Sequence, residues 1–116
     1  MNEKVALIAF NGDSTCFVHV LLNALDFHQK GFEVKVVIEG SATRLIRELA
    51  SPDHPLAALY AKTIQEGLID CVCKACAAKM NTLSIAEAQK MPVRSDMAGH
   101  PSLASYVSKG YQIITF

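Results

Sequence analysis

The sequence predicts an α/β fold in which a mainly parallel sheet carries helices on both faces. Three observations predict it. Apolar runs of strand length alternate along the chain with amphipathic segments of helix length. The first run, Lys4–Phe10 (KVALIAF), is apolar throughout, as expected of a strand covered on both sides. Glycine or proline punctuates most junctions, at Gly31, Gly40, Gly67 and Gly110 and within Ser51–Pro55.

Each element has its own signal. Asn11–Thr15 (NGDST) breaks the first strand. Cys16–Lys30 then carries polar residues at His19, Asn23, Asp26 and Lys30, which form one wet stripe on a helix. Ser14 or Thr15 is expected to cap that helix and Gly31 to end it. Phe32–Glu39 (FEVKVVIE) is a second strand, with Gly40 as its turn. Ala42, Leu45, Ile46 and Leu49 give the apolar face of a short helix. That helix stops at Ser51–Pro55 (SPDHP), because a residue before proline is pushed out of the helical region. A helix restarts over Leu56–Glu66, and Leu68–Cys73 (LIDCVC) is the third strand. Lys74–Met80 reads as helical. In Ser84–Glu87 (SIAE), a capping box should let Ser84 open a further helix. Val93 and Arg94 form a brief fourth strand, His100–Ser108 a last helix ended by Gly110, and Tyr111–Phe116 the final strand. With no internal repeat, linker or low-complexity segment, residues 1–116 read as one domain, near the common size for a single core.

Of the 116 residues, 51% are hydrophobic and 19% charged, which marks an ordered globular chain. Its 11 basic residues balance 11 acidic ones with no cluster of either sign, so the basic face of a nucleic-acid binder is missing. No apolar run reaches the ~18 residues needed to cross a membrane. The N-terminus lacks the basic head and small-residue cleavage site of a signal peptide. A cytoplasmic location is expected, where thiols stay reduced. The apolar share of so small a chain also points to a homo-oligomer.

Ligands of open parallel sheets bind beyond the carboxyl ends of the strands. Four loops should meet at that rim. They carry Asn11, Gly12, Asp13 and Ser14 after the first strand, Glu39 and Gly40 after the second, Cys73–Cys76 (CKAC) after the third, and Arg94–Ser102 (RSDMAGHPS) after the fourth. Three of the four cysteines fall within six residues, Cys71, Cys73 and Cys76. Cys73 lies where strand gives way to helix. The free amides there favour thiolate and should lower the thiol from its usual ~8.5, with Lys74 adding to the effect. Cys71, deeper on the same face, reads as a small buried hydrophobe.

The Cys73/Cys76 pair admits three readings. It can be a redox dithiol beside a βαβ pattern. It can be half of a zinc site, although there is no second C-x-x-C and no H-x-x-x-H, so that the fold would have to bring in His100 and Cys16. It can be a persulfide carrier, in which one nucleophilic thiol accepts and donates a sulfane sulfur and its neighbour helps release it. His100 is the histidine of the rim loops, where it could hold a thiolate as an ion pair. His19 and His28 lie on a helix surface and His54 in a connection between prolines. The NGDST turn is neither a G-x-G-x-x-G nor a Walker loop, so capping explains it better than phosphate binding. No cofactor and no resident metal is expected.

Val72–Asn81 (VCKACAAKMN), Met97–Phe116 (MAGHPSLASYVSKGYQIITF), the Glu39–Gly40 turn and the βαβααβ order together resemble DsrE/DsrF-like proteins (DsrEFH, also YchN-like) over nearly the whole chain. The resemblance implies a five-stranded parallel sheet in a three-layer α/β/α sandwich, and a trimer or hexamer of small subunits. In the DsrE and TusD branch, a cysteine at the end of the corresponding strand carries persulfide sulfur towards sulfur oxidation or tRNA thiolation. The match puts that cysteine at Cys73. Cys76 has no counterpart there, and Lys79, Met80 and Asn81 stand where a basic pair and a glycine often follow. The implied function is a small cytoplasmic sulfur-relay protein that hands sulfur between donor and acceptor proteins. Cys73 would be its sulfur-accepting thiol and Cys76 an auxiliary one, with Asn11, Gly12, Asp13, Ser14, Glu39, Gly40, Lys74 and His100 around the pocket. The alternatives are an oligomeric binding module with structural or metal-binding cysteines, and a C-x-x-C dithiol redox protein.

Overall fold

The chain runs β1 (Lys4–Ala9), α1 (Ser14–Gln29), β2 (Glu33–Ile38), a short 3-10 helix (Gly40–Arg44) leading into α2 (Leu45–Leu49), then α3 (Ala57–Gln65) and β3 (Ile69–Cys73). It continues through α4 (Lys74–Lys79), α5 (Leu83–Ala88), β4 (Val93–Arg94), α6 (Leu103–Ser108) and β5 (Gln112–Thr115). The structure, a computed structural model, describes residues 3–116; Met1 and Asn2 of the expected domain lie outside the described residues. The five strands pair in the order β4–β3–β2–β1–β5, every neighbour parallel. The expected class and strand count therefore hold.

Alternation along the strands builds two cores. Val5, Leu7, Ala9, Val34, Val36, Ile38 and Val72 face one side, where they meet Phe17, Leu21 and Leu25 of α1 and the apolar stripes of α2 to α5. Ala6, Ile8, Val37 and Cys71 face the other, under Tyr106 of α6 and Tyr111. Interior β1, flanked by β2 and β5, is buried on both faces, which is why its sequence is an unbroken apolar run. Fully buried side chains such as Leu7, Ile8, Phe17 and Leu21 each contribute roughly 1.5–3 kcal/mol relative to exposure. Among the described residues no helix is long and apolar enough to cross a membrane.

Three local expectations are corrected. Helix α1 starts at Ser14, and its cap is Asp13 rather than Ser14 or Thr15: the Thr15 amide donates to Asp13 Oδ1 at 2.8 Å. A carboxylate is well placed there, against the positive end of the helix. The Ser84 capping box does not form. Helix α5 begins at Leu83, and no side chain caps it. The reason lies upstream, where α4 ends with Asn81 in the left-handed region (φ 58) and the Thr82 amide reaching back to the Ala77 carbonyl at 2.8 Å. That paired-bond terminus fixes the next helix start before Ser84 is reached. The same motif at Gly31 ends α1 as expected, with Phe32 N donating to Phe27 O. Finally, α6 starts at Leu103 rather than His100, since Pro101 keeps His100 out of the helical region.

Candidate functional site

Cys73 ends β3 and, with φ −67 and ψ 121, serves as the N-cap of α4. Its sulfur accepts from the Cys76 amide at 3.5 Å. Cys73 is fully buried, at 0% exposure, while Cys76 is half-buried. The histidine arrives from the loop after β4. Met97 and His100 close a tight turn by exchanging backbone bonds, Met97 N to His100 O at 2.7 Å and His100 N to Met97 O at 2.9 Å. Its two central residues, Ala98 (φ 50) and Gly99 (φ 92), are both left-handed, as a two-residue hairpin turn of type I′ requires. The Ala75 amide then donates to the Gly99 carbonyl at 2.9 Å, which staples the turn onto the first turn of α4. A Cβ at Gly99 would stand 3.0 Å from the Ala75 Cβ, so the close approach depends on two small residues. As a result His100 Nδ1 lies 3.0 Å from Cys73 Sγ and 3.6 Å from Cys76 Sγ. The three side chains offer ligand atoms that all lie within 4.8 Å of one another.

The electrostatics correct a further expectation. Burial pushes the Cys73 thiol up from 9.0 to about 12; the Cys76 amide pulls it down, while the Cys76 side chain and Glu39 add to the rise. The helix start was expected to lower it. Helix α4 has only six residues and offers one long amide contact, and full burial outweighs that. Lys74 is exposed and is not among the groups that shift Cys73. Glu39, the residue after β2, is 6% exposed. Burial raises its carboxyl, against a lowering pull from His100. Cys73 therefore rests as a thiol, with His100 Nδ1 as the group placed to take its proton. Cys71 is buried as expected, its sulfur 3.4 Å from the Tyr106 hydroxyl. Burial, the largest cause, pushes its thiol up to about 11.

The other residues named from the sequence are distributed as follows. Asn11, Gly12, Asp13 and Ser14 sit at the end of β1 and are tied to the 3-10 helix and to α1. Gly12 N donates to Ser41 Oγ and Arg44 donates to Gly12 O, each at 2.8 Å, while Asn11 Oδ1 accepts from Asp13 N at 2.8 Å. Gly40 is left-handed (φ 55), and a Cβ there would meet the Phe10 carbonyl at 2.8 Å, so glycine lets this turn press against β1. Cys16 lines a separate cleft with His19, Asn23 and Phe116. The sequence reading missed the residues that aim His100, namely Ala75, Ala98 and Gly99. The Ala-Gly pair before His100 was the available signal. It also missed Asp70, whose carboxylate is met by Lys35 at 3.1 Å, Arg94 at 3.5 Å and the Tyr106 hydroxyl.

The parallel sheet and the buried thiol at the carboxyl end of its third strand define a small α/β domain with a cysteine–histidine site. The profile of the DsrE/DsrF-like family matches residues 1–116, and the chain belongs to that family. It is similar to an uncharacterized protein of Methanocaldococcus jannaschii, 36% identical over 117 residues that cover 96% of this chain and 93% of the relative. A shorter likeness, 40% identical over 43 residues, joins 37% of the chain to 70% of an uncharacterized protein of Archaeoglobus fulgidus.

Proposed function

We propose that this protein is a cytoplasmic sulfur carrier of the relay type, with Cys73 as the thiol that accepts sulfane sulfur. The observation that carries the reading is the 3.0 Å approach of His100 Nδ1 to Cys73 Sγ. Proton transfer needs a base within about 2.6–3.2 Å of the donor atom, and this thiol needs a base because burial keeps it protonated. His100 takes the Cys73 proton as Sγ attacks the outer sulfur of a donor persulfide, R–S–SH. One S–S bond breaks and another forms, giving Cys73–S–SH and R–S⁻. The leaving thiolate recovers its proton from His100, so no net oxidation occurs. An acceptor thiolate can then take the outer sulfur in the same way. Alternatively Cys76 attacks the inner sulfur, forming a Cys73–Cys76 disulfide and releasing HS⁻; a dithiol reductant then resets the pair.

The proposal includes a homo-oligomer, a trimer or hexamer, and separate donor and acceptor proteins as partners. Exposed Phe10 and Met97, at 40% and 51%, are apolar side chains available for such contacts. The test is mass spectrometry of the reduced, metal-stripped protein after incubation with polysulfide, with Cys73→Ser and Cys76→Ser beside it. One sulfur atom gained on Cys73, lost in Cys73→Ser and longer-lived in Cys76→Ser, is expected. Sulfur uptake that survives in Cys73→Ser, or no uptake at all, overturns the assignment.

A further inference from the structure

Sulfur transfer needs one thiol and one base, yet two thiols here converge on the same imidazole nitrogen. His100 Nδ1 is 3.0 Å from Cys73 Sγ and 3.6 Å from Cys76 Sγ. A tetrahedral zinc ion with Zn–S near 2.3 Å and Zn–N near 2.0 Å holds neighbouring S and N ligand atoms about 3.5 Å apart. The Cys76–His100 spacing already fits. The Cys73–His100 spacing has to open by about 0.5 Å, the step from a hydrogen bond to two bonds on a shared ion. We propose that Cys73, Cys76 and His100 form a three-ligand site for one Zn²⁺ per chain, and that zinc and persulfide exclude one another on Cys73.

The donor set suits this ion. Two sulfurs and one imidazole nitrogen are the ligands of a borderline-soft cation, not of Mg²⁺ or Ca²⁺. As two thiolates and a neutral ring they cancel the ion's charge, which a largely buried site demands. Binding is a proton exchange: Zn²⁺ displaces the two thiol protons to solvent and nothing is oxidised or reduced. The tripod is held before the ion arrives, because the Met97–His100 turn is fastened to α4 by Ala75 N donating to Gly99 O at 2.9 Å. Cys76 and His100 are half-buried, and three protein ligands leave the fourth tetrahedral position free for water or a further ligand, in the manner of a catalytic or exchangeable zinc centre. Cys16, the remaining cysteine outside β3 and α4, lies in its own cleft and takes no part.

The exclusion of persulfide rests on the sulfur-carrier reading, whereas the metal site stands on geometry alone. The experiment titrates the reduced, metal-stripped chain with Zn²⁺ against a chromophoric chelator, and records the spectrum with Co²⁺ as a substitute ion. One ion per chain is expected, with intense tetrahedral d–d bands and a thiolate-to-cobalt charge-transfer band. Cys76→Ser and His100→Gln should each weaken binding by more than about a hundredfold, since even an outer partner of a ligand is worth 10–100-fold. Cys16→Ser should bind as the unmodified chain does. A weak octahedral cobalt spectrum, a stoichiometry other than one, or undiminished binding by Cys76→Ser overturns the site. The cobalt spectrum of the unmodified chain decides this even where a variant fails to fold. Polysulfide is then given to zinc-loaded and zinc-free protein. Sulfur uptake by the zinc-free form alone is expected, and equal uptake by both overturns the exclusion. Uptake without zinc binding sinks the metal site and spares the carrier; zinc binding without uptake by the zinc-free form does the reverse.

Discussion

A thiol at a helix start is usually a fast nucleophile, and Cys73 should be a slow one toward small electrophiles. Its rise from 9.0 to about 12 reduces the thiolate fraction at neutral pH by about a thousandfold. A more basic thiolate is intrinsically more reactive, with a Brønsted slope of about 0.4–0.5, which returns roughly 15–30-fold over that range. The net expectation is alkylation about 30–60-fold slower than at an ordinary thiol, before any shielding by the His100 turn. The assay follows iodoacetamide labelling of each cysteine by tryptic mass spectrometry in the reduced, metal-stripped chain, from neutral to strongly alkaline pH. The same chain in concentrated urea supplies the unperturbed reference. The Cys73 rate should climb in proportion to hydroxide beyond about pH 10 without levelling. A rate that plateaus near neutrality, instead of climbing further with hydroxide, would refute the reasoning. It would mean that Cys73 rests as a thiolate against a protonated His100, with the α4 amides outweighing burial.

Replacing the base tests the other half of the site: His100→Gln should slow sulfur uptake from a persulfide donor by about 10²–10⁴-fold while leaving the already slow alkylation of Cys73 nearly unchanged. At Gly40, where φ is 55 and a Cβ would stand 2.8 Å from the Phe10 carbonyl, alanine should lower the unfolding free energy in urea by about 1–3 kcal/mol. Asp70 is a stability element beside Cys71, with which it shares the Tyr106 hydroxyl. Burial raises its carboxyl, but the Tyr106 hydroxyl, Lys35 and Arg94 together hold it below its ordinary 3.8. A carboxyl depressed on folding contributes stability above its unfolded value and loses it as pH falls through the folded one. Asp70→Asn should therefore lower stability by about 1–3 kcal/mol near neutral pH. In urea unfolding, its gap from the unmodified chain should close as pH drops below 3.8, and a gap that persists unchanged in acid would assign the effect to packing.

Much of the fold was legible because its signals are local. The apolar run of β1, the wet stripe of α1 and the glycine at Gly31 each act within a few residues. Cys73 at the β3–α4 junction was legible for the same reason. What escaped depends on partners distant in sequence. Ser84 looked like a cap until the Thr82–Ala77 bond set the start of α5. The Asp70 cluster exists only because β2 and β4 flank β3, bringing Lys35 from one side and Arg94 from the other. His100 meets Cys73 through a turn in which Ala98, a residue with no preference for the left-handed region, adopts φ 50. The direction of the Cys73 shift was out of reach as well, because it is a balance between local amides and burial by the whole fold.

Access and basicity favour different sulfurs, and this sets an order of events. Cys76 is the more accessible thiol, and on exposure alone it would meet an incoming donor first. Its sulfur, however, makes the longer contact to His100 Nδ1, 3.6 Å against 3.0 Å for Cys73. The base therefore serves the buried sulfur. Cys76 stands on the solvent side of it, where it can intercept a persulfide once formed or complete a metal site when none is present. A donor that reached Cys76 first would leave sulfur on the thiol that the base holds less closely. Cys73→Ser then separates the two orders: sulfur lost altogether means that transfer follows the base, and sulfur relocated to Cys76 means that it follows exposure.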